Sequence, residues 1–185
     1  MSDVIAKVTA MSDPDNAWRE LLGQAPGFTA IGASEAYIAE QEERLGIRLP
    51  PSYRAFLRVA NGWGEGIFRP VHEIGRVRAL APWLAELADP NPLYPIDSAS
   101  DEDYFVYGDD QDSVFYRPEY LPDSILIGQF DDGDFFLNPH VVSPAGEWEA
   151  CFAAAWLPGV ERHRSFFDLV AGDMDRFKDF QPNAG

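Results

Sequence analysis

The hydrophobic period of this chain changes at Asn61-Gly62, and that change constrains the fold more than any other feature. Before it, apolar residues recur at helical spacing. Pro50-Pro51 opens a segment in which Tyr53, Phe56, Leu57 and Ala60 fall at i, i+3, i+4 and i+7, one stripe of an α-helix. Asn61-Gly62 is expected to end it, because both residues tolerate the left-handed cap conformation. Upstream, Asp13-Pro14 reads as an N-cap followed by proline at the first helical position, with Ala17, Trp18, Leu21 and Leu22 on one face and Gly23 as the stop. A further helix runs from near Ser34 to Leu45, with Gly46 behind it. After Gly62 the pattern becomes short aromatic or β-branched runs separated by Gly, Pro and Asp: Ile67–Val71, Tyr104–Tyr107, Val114–Tyr116, Ile125–Phe130, Phe135–Leu137 and Trp148–Phe152. These predict antiparallel strands of one sheet, with Asp131-Asp132-Gly133-Asp134 as a tight turn between two of them. Ala81–Ala88 predicts a short helix opened by Pro82, and the proline-rich Asp89–Pro95 a loop. Ser165 and Asp168 form a capping pair for a last helix that puts Phe166, Val170, Met174 and Phe177 on one face. Helices first, a meandering sheet next and a closing helix place the chain in the α+β class, helices packed on a single, mainly antiparallel sheet.

At 185 residues the chain matches one domain. It is 46% hydrophobic against 24% charged, too apolar for disorder, yet no stretch reaches the ~20 apolar residues of a membrane span. The first residues carry no apolar core of a secretory signal, and a single cysteine, Cys151, excludes an internal disulfide framework. These features predict a soluble cytoplasmic protein.

The charge is large and unevenly placed. The net value is −17, and the stretch from Asp97 to Asp134 holds twelve acids against Arg117 alone, which gives it −11 of that total. A field of this sign repels phosphate backbones and anionic membranes, and it attracts and steers a basic partner. Acidic surfaces also serve solubility alone.

Strong catalytic motifs are absent from the sequence: no G-x-S-x-G, no Walker loop, no H-E-x-x-H, no C-x-x-C. His72, His140 and His163 are far apart, and Cys151 lies in an apolar run that predicts a buried, inert thiol. The runs Asp109-Asp110-Gln111-Asp112 and Asp131-Asp132-Gly133-Asp134 are oxygen-rich, but the first lacks the sixth-position glycine and the second the twelfth-position glutamate of an EF-hand loop. Both read as turns, so no metal and no cofactor is expected. Among the tryptophans, Trp148 and Trp156 suit a packed sheet edge, whereas Trp63, in Gly62-Trp63-Gly64-Glu65-Gly66, has little local cover and is expected to be partly exposed.

The segment Ile38 to Gly62, IAEQEERLGIRLPPSYRAFLRVANG, resembles the helix–LP–S/DYR–FL–NG signature of the SUKH superfamily of bacterial immunity proteins and fungal cell-wall-synthesis regulators. The resemblance continues in order through Arg69-Pro70-Val71, Glu73-Ile74, Leu126–Gln129, Gly133–Pro139 and Gly146–Gly159 to Arg164–Val170. It implies an α+β fold, a non-enzymatic role, and, for the bacterial type, direct neutralisation of a cognate toxin, often a nuclease. It also implies a division into an N-terminal extension with one helix (1–33) and a single domain (34–180) interrupted by an insertion near 79–100. The signature residues Leu49, Pro50, Tyr53, Phe56, Leu57, Asn61 and Gly62 have structural explanations, so they mark the fold and not a site. Contact with a basic toxin is therefore expected at the acids Asp101, Glu102, Asp103, Asp109, Asp110, Asp112, Asp131, Asp132 and Asp134, with Trp63 as an aromatic anchor. The alternative is a regulatory or scaffold protein with an endogenous partner and no toxin.

Overall fold

A computed structural model describes residues 13–23, 31–63, 66–89 and 96–174. The front helices form where their start and stop signals stand. In α1 (Pro14–Leu22) the Asp13 carboxylate accepts from the Asn16 N–H, and in α2 (Glu35–Leu45) the Ser34 hydroxyl accepts from the Tyr37 N–H, with Gly46 left-handed at φ +66° behind it. The next helix, α3 (Pro51–Val59), starts on its proline but ends differently from the expectation. Ala60 is already extended at φ −144°, and Asn61 uses its side-chain oxygen to accept from the Val71 N–H at 2.9 Å. Only Gly62 adopts a positive φ, because the chain must turn directly into the Trp63–Phe68 bridge.

Five strands follow in the spatial order β1 (Gly75–Arg76), β2 (Ile125–Phe130), β3 (Gly133–Val142), β4 (Trp148–Ala154) and β5 (Glu161–His163), every neighbouring pair antiparallel. Between β1 and β2 lie the short helices α4 (Val77–Leu80), α5 (Pro82–Glu86) and α6 (Asp101–Tyr104) and 3-10 turns at Gly108–Asp110 and Pro118–Tyr120. A last helix, α7 (Phe166–Gly172), is capped by Ser165, whose hydroxyl accepts from the Asp168 N–H and donates to the Asp168 carboxylate.

Both faces of the sheet are covered. On one, Ile125, Phe135, Leu137 and Phe152 pack against α1, α3 and α7 through Trp18, Tyr53, Phe56 and Phe166. On the other, Leu126, Phe136, Cys151 and Ala153 pack beneath Val77, Leu84, Tyr116 and Leu121. Burial on both faces explains why the central strands read as continuous apolar runs rather than as alternation. At the β2–β3 hairpin the loop is Asp131-Asp132 alone, both at positive φ (48° and 59°), and Gly133 already pairs with Phe130. The glycine there serves packing, since a Cβ would lie 2.3 Å from the Phe152 ring.

Three expected strands take other forms. Tyr104 ends α6 because Ser100 caps that helix, accepting from the Asp103 N–H at 3.2 Å, and the backbone then passes into a 3-10 turn. Val114–Tyr116 is turn and coil, held where the Asp112 carboxylate accepts from the Val114 N–H. Ile67–Val71 contributes isolated bridges through Phe68 alone. The very short β1 and β5 carry no strand signature of their own. Trp148 is buried as expected, but Trp156 is 55% exposed. Phe177 lies outside the described residues.

Candidate functional site

The acidic segment is the outer layer over the second face of the sheet. Asp101, Glu102, Asp103, Asp109, Asp110 and Asp112 are all exposed. Arg117, the cation of this segment, is instead turned inward. Its guanidinium pairs with Asp101, donates to the Ala99 carbonyl and the Tyr120 hydroxyl, and lies 4.5 Å from the centroid of the Tyr104 ring. The layer thus presents carboxylates outward while its positive charge is spent on stacking within.

The second acid run divides. Asp131 and Asp132 are exposed at the hairpin loop, whereas Asp134 is 2% exposed. Strand parity puts Asp134 on the second face beside Phe136, where its carboxylate accepts from Trp83 Nε1 at 2.8 Å and Gln129 Nε2 at 2.8 Å. Asp134 is therefore a hidden anchor for Trp83 and offers nothing to a docking molecule, unlike its neighbours in the loop. Trp156 donates its indole N–H to the Asp131 carbonyl at 3.1 Å. Trp83 (40% exposed) and Trp156 are thus both tied to the same hairpin, one directly to its loop and the other through Asp134. Trp63 is half-buried against Phe68, with ring centroids 6.1 Å apart. Sequence reasoning favoured Trp63 and missed the other two, because the indole hydrogen bonds that orient them come from residues far away in the chain.

Beneath the layer lies a buried polar cluster. The Glu149 carboxylate accepts from the hydroxyls of Tyr104 (2.5 Å) and Tyr107 (2.8 Å) and from Asn138 Nδ2 (2.9 Å), with Arg162 Nη1 3.9 Å away. Burial, with the neighbouring carboxylate, holds both phenols well above their ordinary pKa, so they remain donors. Burial likewise pushes the Cys151 thiol up, which removes it as a nucleophile at neutral pH. The cluster is a support for the acidic layer: Tyr104 stacks under Arg117 above and bonds Glu149 below.

At the edge near α3, the Glu147 carboxylate accepts from the Ser52 N–H (2.9 Å) and hydroxyl (2.6 Å). Burial raises its pKa despite those bonds. A folded-state pKa above the unfolded one means that the native protein binds the proton more tightly, so stability falls as pH rises from about 4.5 through the folded value. Glu147→Gln removes this titration. Its stability relative to wild type is expected to rise with pH across that window, measured by urea unfolding at a series of pH values; a constant difference would refute the shift.

Of the histidines, His72 lies 3.4 Å from Glu73 and His140 stacks on Tyr120 at 4.7 Å. His163 joins Glu161 and Asp173 in a group with metal-ligand spacing, which sequence distance had concealed. No helix among the described residues is long and apolar enough to cross a membrane.

A model of the SMI1/KNR4 family (SUKH-1) matches residues 32–177. No curated protein and no solved structure matches the chain.

Proposed function

We propose, from the premise that this chain belongs to the SMI1/KNR4 family (SUKH-1), that it is a bacterial immunity protein which neutralises a cognate basic toxin domain by binding it. The family includes immunity proteins and regulators and is generally non-enzymatic. The observation that supports the toxin-binding reading is the asymmetry of the acidic layer, with exposed carboxylates outside and Arg117 drawn in beneath them. A nuclease needs a positive groove for phosphate, and this surface is complementary to one. Asp131 and Asp132, flanked by Trp83 and Trp156, extend the same field with aromatic anchors whose indole N–H bonds fix them before contact.

The test is association kinetics with the partner that co-purifies from the native host. Asp101 is unsuitable for charge reversal because it pairs with Arg117, and Asp103 because it caps α6 with Ser100. The triple variant Glu102→Lys, Asp109→Lys, Asp110→Lys is expected to slow association at least ~10-fold at low salt and to leave dissociation nearly unchanged. Wild type and variant should converge near 1 M salt, where the Debye length falls to about 3 Å. An on-rate indifferent to both salt and reversal would leave the acids a solubilising face. A co-purifying partner that is neither basic nor toxic would favour the regulatory role.

A further inference from the structure

We infer that Glu161, His163 and Asp173 form a binding site for a divalent transition-metal ion of the zinc class. One carboxylate oxygen from each acid and one imidazole nitrogen all lie within 4.8 Å of one another. Around an ion with bonds of 2.0–2.2 Å, tetrahedral donors stand ~3.4 Å apart, so side-chain rotation of about 1 Å completes the set. The backbone placement is already fixed. Glu161 and His163 are two apart on β5 and project to the same side. Arg162 between them projects to the other side, into the Glu149 cluster, and its N–H and carbonyl are both bonded to the Gln111 side chain (2.8 and 2.7 Å). Asp173 is the C-cap of α7, its N–H bonded to the Leu169 carbonyl. A strand and a helix end, joined through the capped turn at Ser165, thus deliver the three donors.

The donor set decides the metal. One imidazole with two carboxylates suits zinc, manganese or cobalt, whereas calcium prefers six to eight oxygens. The three residues line a cavity of about 860 Å³ that Asp109 and Asp112 also line. That leaves room for water in the remaining coordination positions and adds negative potential in a chain of net charge −17. The ion would tie β5 to the end of α7, two elements that the chain otherwise links through Arg164 and Ser165.

The probe is zinc chloride titrated into the full chain by calorimetry, with the melting temperature followed in parallel. Wild type is expected to bind one ion at micromolar affinity or tighter and to melt higher with zinc. His163→Ala and Asp173→Asn should each weaken binding by more than ~10-fold, the lower end of what even outer-sphere partners cost. Both should abolish the melting shift while keeping the circular dichroism of wild type. His140→Ala, on a distant surface, should change nothing, and calcium should show no stoichiometric site. Absence of saturable zinc binding overturns the inference. So does binding that His140→Ala weakens as much as His163→Ala, which would mean an adventitious ion only.

Discussion

Phe56→Ala is expected to lower the free energy of unfolding by about 3–5 kcal/mol. The ring is fully buried and meets Trp18 at 5.2 Å, Phe166 at 5.2 Å, Phe68 at 5.8 Å and Tyr53 at 5.9 Å between centroids. These neighbours belong to α1, α7, the 66–71 segment and α3 itself. A cavity at their centre closes only if several elements shift together, which close packing resists. The indole of Trp18 is further pinned by its bond to the Ser52 carbonyl at 2.9 Å, so α1 cannot slide in to fill the space. For a chain of this size the loss corresponds to a melting temperature lower by roughly 6–20 °C. Phe56→Leu, which keeps most of the volume, should cost less than half as much. The check is the urea midpoint at constant m-value, and an unchanged midpoint in Phe56→Ala would refute this account of the core.

The same residue shows why the front of the molecule was legible in the sequence. Each helix there carries both its apolar stripe and its terminal signals in contiguous residues: Asp13-Pro14, Ser34 with Gly46, Pro51. The central strands were legible for a related reason, since a sheet buried on both faces needs unbroken apolar runs. The layer from 99 to 121 misled because its aromatics have cover roles. Tyr104 bridges Glu149 and Arg117, and Tyr116 fills the second core, so both look like strand residues without pairing as strands. Yet Ser100 and Asp103 repeat the spacing of Ser165 and Asp168, the capping pair that correctly located α7. That local signal outweighs aromatic content where the two disagree. The candidate site was readable only as a charge distribution. Which acids face outward depends on where the hairpin loop ends and the strand begins: Asp131 and Asp132 form the exposed loop, while Asp134, inside the strand, is hidden on the second face. The group of Glu161, His163 and Asp173 needs β5 and the end of α7 side by side, and three polar residues do not announce a strand.

Glu149→Ala should destabilise by about 3–5 kcal/mol, the scale on which breaking a buried ion pair leaves its partner uncompensated. The carboxylate is 1% exposed and takes four hydrogen bonds, the fourth from the Cys151 thiol, so its loss strands the Tyr104 and Tyr107 hydroxyls and leaves the Asn138 amide only its 3.3 Å bond to the Tyr104 hydroxyl. It also leaves Arg162, 2% exposed, with its Nη1 bond to the Tyr104 carbonyl and the stacking of its guanidinium on that ring at 4.4 Å. The Nε and Nη2 atoms of Arg162 have no hydrogen-bond partner among the described residues, so the Glu149 charge is its principal electrostatic compensation. Glu149→Leu combined with Arg162→Met should therefore cost less than the sum of the two single changes, with a coupling of ~1–3 kcal/mol in a double-mutant cycle. The double variant should still fall short of wild type, because the two phenols and the amide lose their acceptor in either case. Glu149→Gln removes the charge together with one acceptor oxygen, and since Tyr107 bonds Oε1 while Tyr104 and Asn138 bond Oε2, its cost relative to wild type combines the field at Arg162 with at least one lost hydrogen bond. The cycle is read by urea unfolding of the four proteins. Strictly additive costs would mean that Glu149 supports the tyrosines alone, and that the buried arginine is held by stacking without its carboxylate.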